Sequence, residues 1–404
     1  MKYLNRLLTL LTLSLTVSLI FSSYTIAQNS CCGGGRYSTP IYPTTVVDEN
    51  IFYRSAYDYL GNVVDLSFDV YRPVGDNCTA RPAAIFYYGG GFYQGDTSED
   101  YIVMLCDTLA QMGYVTFAFE YREGFATEDF AGFQGPYPTC YDTEEAERTV
   151  YRCIQDGKEA VKHVKSMASI YDIDTNYVFI GGASAGGFIS MGVAYMDNYE
   201  RPVSTYDINY AWYLFDGILI DRPDMGLLDD PFSYPGISSN VAGVLDLVGA
   251  VQDTSIIEGP NDPPIIIYHG NADDIVAYNY DYPYGGQLNS YPMLYGGEPI
   301  AQRANNLGMN VQFTLFDGAD HDISPYMSEI ILGSTLFFEQ IICSSVNMCP
   351  EDVNGDGSIT VQDILSILGE FGCINFCEND VNNDEYVTVA DLLMVLSLFG
   401  SICG

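Results

Sequence analysis

Six strand-length runs, "AAIFYYGGG", "YVTFAFEYR", "NYVFIGGAS", "GILID", "IIIYHG" and "VQFTLFDGA", follow one another between residues 83 and 319. Most are apolar throughout rather than alternating. A strand with one wet face alternates, so uninterrupted apolar runs predict strands covered on both faces. Helical patterns sit between several of them. Residues 144–169 place Val150, Ile154, Val161 and Val164 on one face, and residues 327–342 form a second apolar helix. Strands alternating with helices predict the α/β class: a doubly covered, mostly parallel sheet. Ahead of these runs, "IFYRSAYDYLGNVVDLSFDVYRP" (51–73) alternates around Leu60-Gly61-Asn62, which predicts an antiparallel hairpin at a sheet edge. Residues 196–240, rich in Tyr, Pro, Gly and Asp, break the rhythm and read as a cap or loop insertion.

The ends of the chain are of another kind. Lys2 and Arg6, the apolar stretch from Leu7 to Phe21, and Thr25-Ile26-Ala27 have the layout of a secretory signal peptide covering residues 1–27. Secretion is therefore expected, without an acyl anchor, and a cell-surface attachment is compatible with it. Eleven cysteines in an exported chain point to disulfides, and the odd number leaves at least one thiol out of intramolecular pairs. Cys140 and Cys153 are a plausible local pair, although Cys153 also falls on the apolar face of a helix, where it would be a buried thiol. The net charge of −38 repels nucleic acid and anionic lipid, so neither a nucleic-acid nor a membrane partner is expected.

The run Tyr177–Ile180 ends in "FIGGASAGGF" (179–188), and a helical pattern follows from Phe188. Strand, tight turn and helix are the setting of a nucleophile elbow, with Ser184 at its apex. A serine hydroxyl needs a base, and the chain has three histidines. His163 lies between lysines on the long helix and reads as a solvated surface residue. His269 ends a strand, where it supports the loop after it or serves as base itself. His321 sits in a loop after the last strand, leaving room for an acid before it. "HGNADDIV" offers that acid as Asp273 or Asp274, with Asp273 favoured. Upstream, the three glycines of "YYGGGFYQGD" let backbone N–H groups converge on an oxyanion.

Together "YGGGF" (88–92), "EYR" (120–122), "QDGKEAVKHVKSMASIYDID" (155–174) and "GGASAGG" (181–187) resemble the blocks of an α/β-hydrolase of the carboxylesterase and hormone-sensitive-lipase-like type. The resemblance covers residues from about 50 to 342, within a catalytic domain expected to span 28–342. It implies Ser184 as nucleophile, Asp273 as acid and His321 as base, with Gly90, Gly91 and Ala185 as oxyanion donors. The implied reaction is hydrolysis of a carboxylic ester through an acyl-enzyme. One departure is Tyr88, where many members carry histidine. Phe92, Tyr93, Tyr121, Phe188 and, in the insertion, Trp212 are candidates to line a substrate pocket; core packing is the alternative for each.

After a linker (343–348) the chain repeats itself. "CPEDVNGDGSITVQDILSILGEFG" from Cys349 aligns without a gap with "CENDVNNDEYVTVADLLMVLSLFG" from Cys377, a period of 28 residues. Asp352, Asn354, Asp356, Ser358, Thr360 and Asp363 stand at the spacing of oxygen ligands around a calcium ion. Asp380, Asn382, Asp384, Tyr386, Thr388 and Asp391 repeat the set, with Glu385 in the place of Gly357. An apolar helix follows each loop. Residues 349–404 thus resemble a type I dockerin, a paired calcium loop–helix module, which implies Ca2+ as a structural ion and a cohesin-like or cell-surface partner. Val361-Gln362 and Val389-Ala390 depart from that family's polar recognition pairs. Cys349, Cys373, Cys377 and Cys403 are expected to staple the module. The whole reads as a secreted carboxylesterase acting on acetyl, feruloyl or other esters attached to polysaccharide. A lipase or polyester hydrolase, and a catalytically silent hydrolase-fold adhesion protein, are the alternatives.

Overall fold

The computed structural model describes residues 31–343 apart from 33–34, 44, 129–137, 208–210 and 214–218, and beyond 350 residues 351–354, 358–373, 377, 379, 381 and 386–401. The expected signal peptide and, apart from Cys343, the expected linker lie outside them. Cys31–Ile342 forms one compact unit, and the residues from Cys343 onward belong to another.

The first unit is built on an eight-stranded sheet. Its strands are β1 (Thr45–Tyr57), β2 (Val63–Pro73), β3 (Arg81–Tyr87), β4 (Val115–Phe119), β5 (Ile173–Ala183), β6 (Gly243–Leu247), β7 (Ile265–Gly270) and β8 (Val311–Phe316). They lie side by side in the order β1-β2-β4-β3-β5-β6-β7-β8. Only β2, the second strand of the expected edge hairpin, runs counter to the rest: it is antiparallel to both β1 and β4, and the pairs from β4 to β8 are all parallel. Five long helices accompany the sheet: α1 (Asp100–Gln111), α2 (Thr143–Ser166), α3 (Ala185–Tyr195), α4 (Gly297–Asn306) and α5 (Met327–Cys343). Every residue of β3, β4, β6 and β7 is buried, whereas β1 and β8 at the two edges are mostly exposed or half-buried. The contrast follows from cover on one or both faces. This is the mostly parallel α/β-hydrolase sheet that the resemblance implied.

Three sequence expectations need correction. "GILID" contributes Leu219–Asp221 to a small separate ladder with Ala211–Tyr213, and the central strand in its stead is "GVLDL", β6. Buried Asp246, fourth of its five residues, interrupts the apolar run and disguises the strand. His163 is not a solvated surface residue: its ring packs against Tyr53 and Phe68, and Nδ1 lies 2.8 Å from the Tyr234 hydroxyl. Burial lowers its pKa. Cys140 and Cys153 are separate buried thiols, and burial pushes both thiol pKa values up. Cys31 instead bonds Cys78 across 47 residues, a closure worth about 4 kcal/mol on the chain-entropy account.

In the second unit, α6 (Val361–Gly369) and α7 (Val389–Ser397) repeat one another. Ile359, Ile367, Val381, Val387 and Val395 form the core, with Val353 packed against it. These pair off as 353 with 381, 359 with 387 and 367 with 395, each 28 residues apart. The backbone follows the same rule: Val387 exchanges hydrogen bonds with the stretch after α6, and Ile359 does so with the stretch after α7. The two copies therefore clasp each other. Leu365, Leu368 and Phe371, with their counterparts Leu393, Leu396 and Phe399, are exposed on this unit. Cys373 bonds Cys377, while Cys349 and Cys403 lie outside the described residues.

Candidate active site

Ser184 sits between the end of β5 and the first residue of α3, with φ 53° and ψ −119°. A non-glycine residue there is strained, and strain of this kind clusters at functional sites. The turn is held from outside: Ser184 N–H donates to Leu247 O of β6 at 2.8 Å, and Gly187 and Phe188 donate back to Ser184 O. Small neighbours are obligatory. A Cβ on Gly186 would collide with the carbonyl of Tyr87 in β3, and one on Gly182 with Tyr87 and Gly186 together. The spacing "GGASAGG" is thus the record of a helix start pressed against the ends of two strands.

The triple-glycine loop arrives beside it. A Cβ on Gly89 would lie 3.2 Å from Ser184 Cβ. Gly90 and Gly91 take φ of 110° and 64°, and Phe92 also has positive φ. The loop rests on Tyr121, whose hydroxyl donates to Gly89 O at 3.1 Å. Tyr88, noted as a departure from the resembled pattern, stacks on the Tyr121 ring at 4.7 Å. Ala185 is the first residue of α3, so its N–H has no partner within the helix. Gly91, Ser184 and Ala185 line one cavity of about 750 Å3.

The acid and base come from the ends of β7 and β8. His321 Nδ1 lies 2.7 Å from Asp273 Oδ2, and the Asp273 side chain is fully buried. Asp273 Oδ1 accepts the N–H groups of Ile275 and Val276, both at 2.9 Å. Burial alone would raise the Asp273 pKa, but hydrogen bonds from His269 and His321 outweigh it and hold the carboxyl well below the usual carboxylate range. Asp274, the alternative acid, is exposed. Val276 and Ile275 pack with Phe188 of α3, so the acid loop leans on the helix that Ser184 begins. Among the described residues Ser184 Oγ makes no hydrogen bond to His321. That bond often tightens only with substrate present.

Phe92 and Phe188 line the cavity and meet edge to face at 5.7 Å. Tyr93 does not line it and packs against Phe125 instead, and Tyr121 is buried beneath the glycine loop. The Trp212 side chain lies outside the described residues. Phe125, Val150, Ile275, Val276 and Leu294 are among the other apolar residues of the wall, and Glu147, Glu200, Gln252 and Asp253 are among its polar ones. These were hidden in the sequence because no motif marks them; they converge only through the fold.

One buried group lies outside this set. Asp246 of β6 sits against Gly187 and Gly249, where a Cβ on either would strike its Oδ1, and burial pushes its carboxyl up to about 7. A carboxyl raised in the folded state keeps its proton there after the unfolded chain has lost it. Its penalty on stability therefore grows from about pH 4 to about pH 7 and then levels off. Asp246→Asn is accordingly expected to gain several degrees of Tm relative to the parent between pH 4 and pH 8, by calorimetry. A difference that stays constant with pH would refute it.

In the second unit, Asp363 and Asp391 are fully buried and Asp352 nearly so. Asp363 accepts from the N–H groups of Asn354 and Thr360, and Asp391 repeats this with Val381 and Thr388. Asp356, Asp380, Asn382 and Asp384 lie outside the described residues; Ser358 and Tyr386 are described. Among the described residues no group of three or more His, Cys, Asp or Glu is placed to hold a metal, and no helix is long and apolar enough to cross a membrane.

The BD-FAE family model matches residues 141–255. That stretch spans α2, the Ser184 turn, α3, the insertion and β6. No curated protein matches the sequence. Among solved structures, the butyrate-bound esterase 2 of Thermogutta terrifontis aligns with a TM-score of 0.46 at 19% identity, over 71% of this chain and 93% of that one. The same esterase phosphorylated by paraoxon gives 0.46 at 19%, over 74% and 95%. Likeness at this level bears on neither fold nor chemistry, which rest on the chain's own geometry.

Proposed function

We propose that the first unit is a serine carboxylic-ester hydrolase. The observation that carries this reading is the buried Asp273–His321 pair at the carboxyl end of the sheet that holds strained Ser184 at a cavity wall. In the reaction His321 takes the Ser184 proton as Oγ attacks the ester carbonyl, and the oxyanion forms against the N–H groups of Ala185 and the Gly90–Gly91 loop. The proton passes to the leaving alcohol as the C–O bond breaks. Water, deprotonated by His321, then releases the acid from the acyl-enzyme. A silent adhesion protein has no use for a strained serine and a buried ionised acid. The test is reaction of the full chain with an organophosphonate, followed by peptide mapping. Modification elsewhere than Ser184 would sink the assignment.

The cavity wall is largely apolar, with Glu147, Glu200, Gln252 and Asp253 among its residues, a mixture that favours an ester on a hydrophilic carrier such as acetylated or feruloylated polysaccharide. Export from the cell fits the leader-like start and the Cys31–Cys78 bridge.

For the second unit we propose Ca2+ as a structural ion, held by Asp352, Asn354, Asp356, Ser358 and Asp363 and by their counterparts 28 residues on. Each loop gathers several oxygen ligands, and residues 349–404 contain no Lys or Arg to offset the carboxylates. A cohesin-like or cell-surface partner is the docking role that goes with such a module. On the full chain, EGTA is expected to remove one calorimetric transition while leaving ester hydrolysis within about twofold. An unchanged melting profile would count against the ion.

A further inference from the structure

We infer that His269 is a positioning residue for Asp273, held neutral by the start of α4 so that it orients the acid without cancelling its charge. The inference rests on the serine-esterase reading above.

His269 is the penultimate residue of β7 and its side chain is fully buried. Gly297 N–H, the first of α4, donates to its Nδ1 at 3.2 Å. A ring nitrogen that accepts a hydrogen bond carries no proton, so the proton belongs to Nε2. That Nε2–H faces Asp273 Oδ2 at 3.2 Å and Val276 O at 3.3 Å. A Cβ on Gly297 would sit 3.0 Å from His269 Cβ and 3.1 Å from Nδ1, so glycine is what lets the helix approach.

Four N–H groups thereby surround Asp273: Ile275 and Val276 donate to Oδ1 and His321 to Oδ2, while His269 Nε2–H, hydrogen-bonded to Val276 O, lies 3.2 Å from Oδ2. Full satisfaction lets a carboxylate remain ionised when buried. The second histidine must stay neutral. A charged His269 would offset the negative charge that stabilises the His321 imidazolium during the reaction. The other titratable groups facing this set are Asp246 from β6, Tyr278 against the His269 ring, and Asp322 beside His321.

The test compares His269→Leu with His269→Gln, using a p-nitrophenyl ester across a pH series, with Tm measured for both. Leucine removes the donor. The carboxylate becomes less well held and more basic, so kcat is expected to fall roughly tenfold with little change in KM, and the acid limb of kcat/KM to move upward. Glutamine keeps an N–H for Asp273 and is expected to restore kcat to within about threefold and return the acid limb. A folded His269→Leu with parental kcat and acid limb would overturn the inference and leave His269 a packing residue. So would a His269→Gln that melts normally yet is as slow as the leucine variant. If leucine prevents folding, the glutamine variant decides alone on those two readouts. Failure of the esterase reading looks different: the unmodified chain would then not react at Ser184 at all.

Discussion

Ser184→Ala is expected to lower kcat/KM for a p-nitrophenyl ester by about 10^5-fold and to abolish organophosphonate labelling, with Tm within a degree or two of the parent. The size of the loss follows from what the residue does. Without Oγ there is no acyl-enzyme, and what remains is binding and the oxyanion donors acting on water. The near-constant Tm follows from the local structure. The Ser184 side chain makes no capping bond to α3, and the backbone bonds that hold the turn belong to Leu247, Gly187 and Phe188. Alanine suffers the same strain at φ 53° as serine and gives up no buried partner. Loss of activity with retained stability therefore reads as chemistry rather than unfolding. Substantial activity in Ser184→Ala would remove the nucleophile from this position and the mechanism with it.

The parts of this architecture that local sequence encodes were legible, and those that depend on convergence were not. Central strands betray themselves because burial on both faces demands apolar residues at every position. β6 escaped because Asp246 stands within it, and a charged residue there ordinarily speaks against a buried strand. The elbow was legible because close approach of α3 to β3 permits nothing larger than glycine at 186. His163 misled because its neighbours along the helix are lysines, while the surfaces that enclose it, Tyr53, Phe68 and Tyr234, come from distant stretches of chain. The same holds for the cavity wall. Val150 belongs to α2, Leu294 and Ile275 to segments after β7, and nothing in their spacing announces a shared space. The His269 tautomer is the extreme case. It is set by the N–H of Gly297, 28 residues further on, and no motif in "IIIYHG" could carry that information.

Asp273→Asn is expected to lower kcat by roughly 10^3- to 10^4-fold with KM nearly unchanged, whereas Asp274→Asn stays within about twofold of the parent. The two residues are adjacent in sequence and opposite in circumstance: Asp273 is buried among four donors, and Asp274 is exposed. An asparagine at 273 can keep its carbonyl toward the N–H groups of Ile275 and Val276. Its amide nitrogen then confronts two rings, His321 and His269, that both present N–H to the carboxylate. Donor facing donor has only one remedy, which is to move a ring proton to the other nitrogen. For His321 that places the proton on Nε2, where the Ser184 proton has to go, and the base is blocked without any change in the shape of the site. For His269 the same shift is resisted, because Gly297 N–H already occupies Nδ1. His321 must therefore yield, and the expected signature is a collapse of kcat. Equal losses in the two variants, or a larger loss at 274, would transfer the acid role to Asp274. They would also leave the buried carboxylate between two histidines without a catalytic reason to be there.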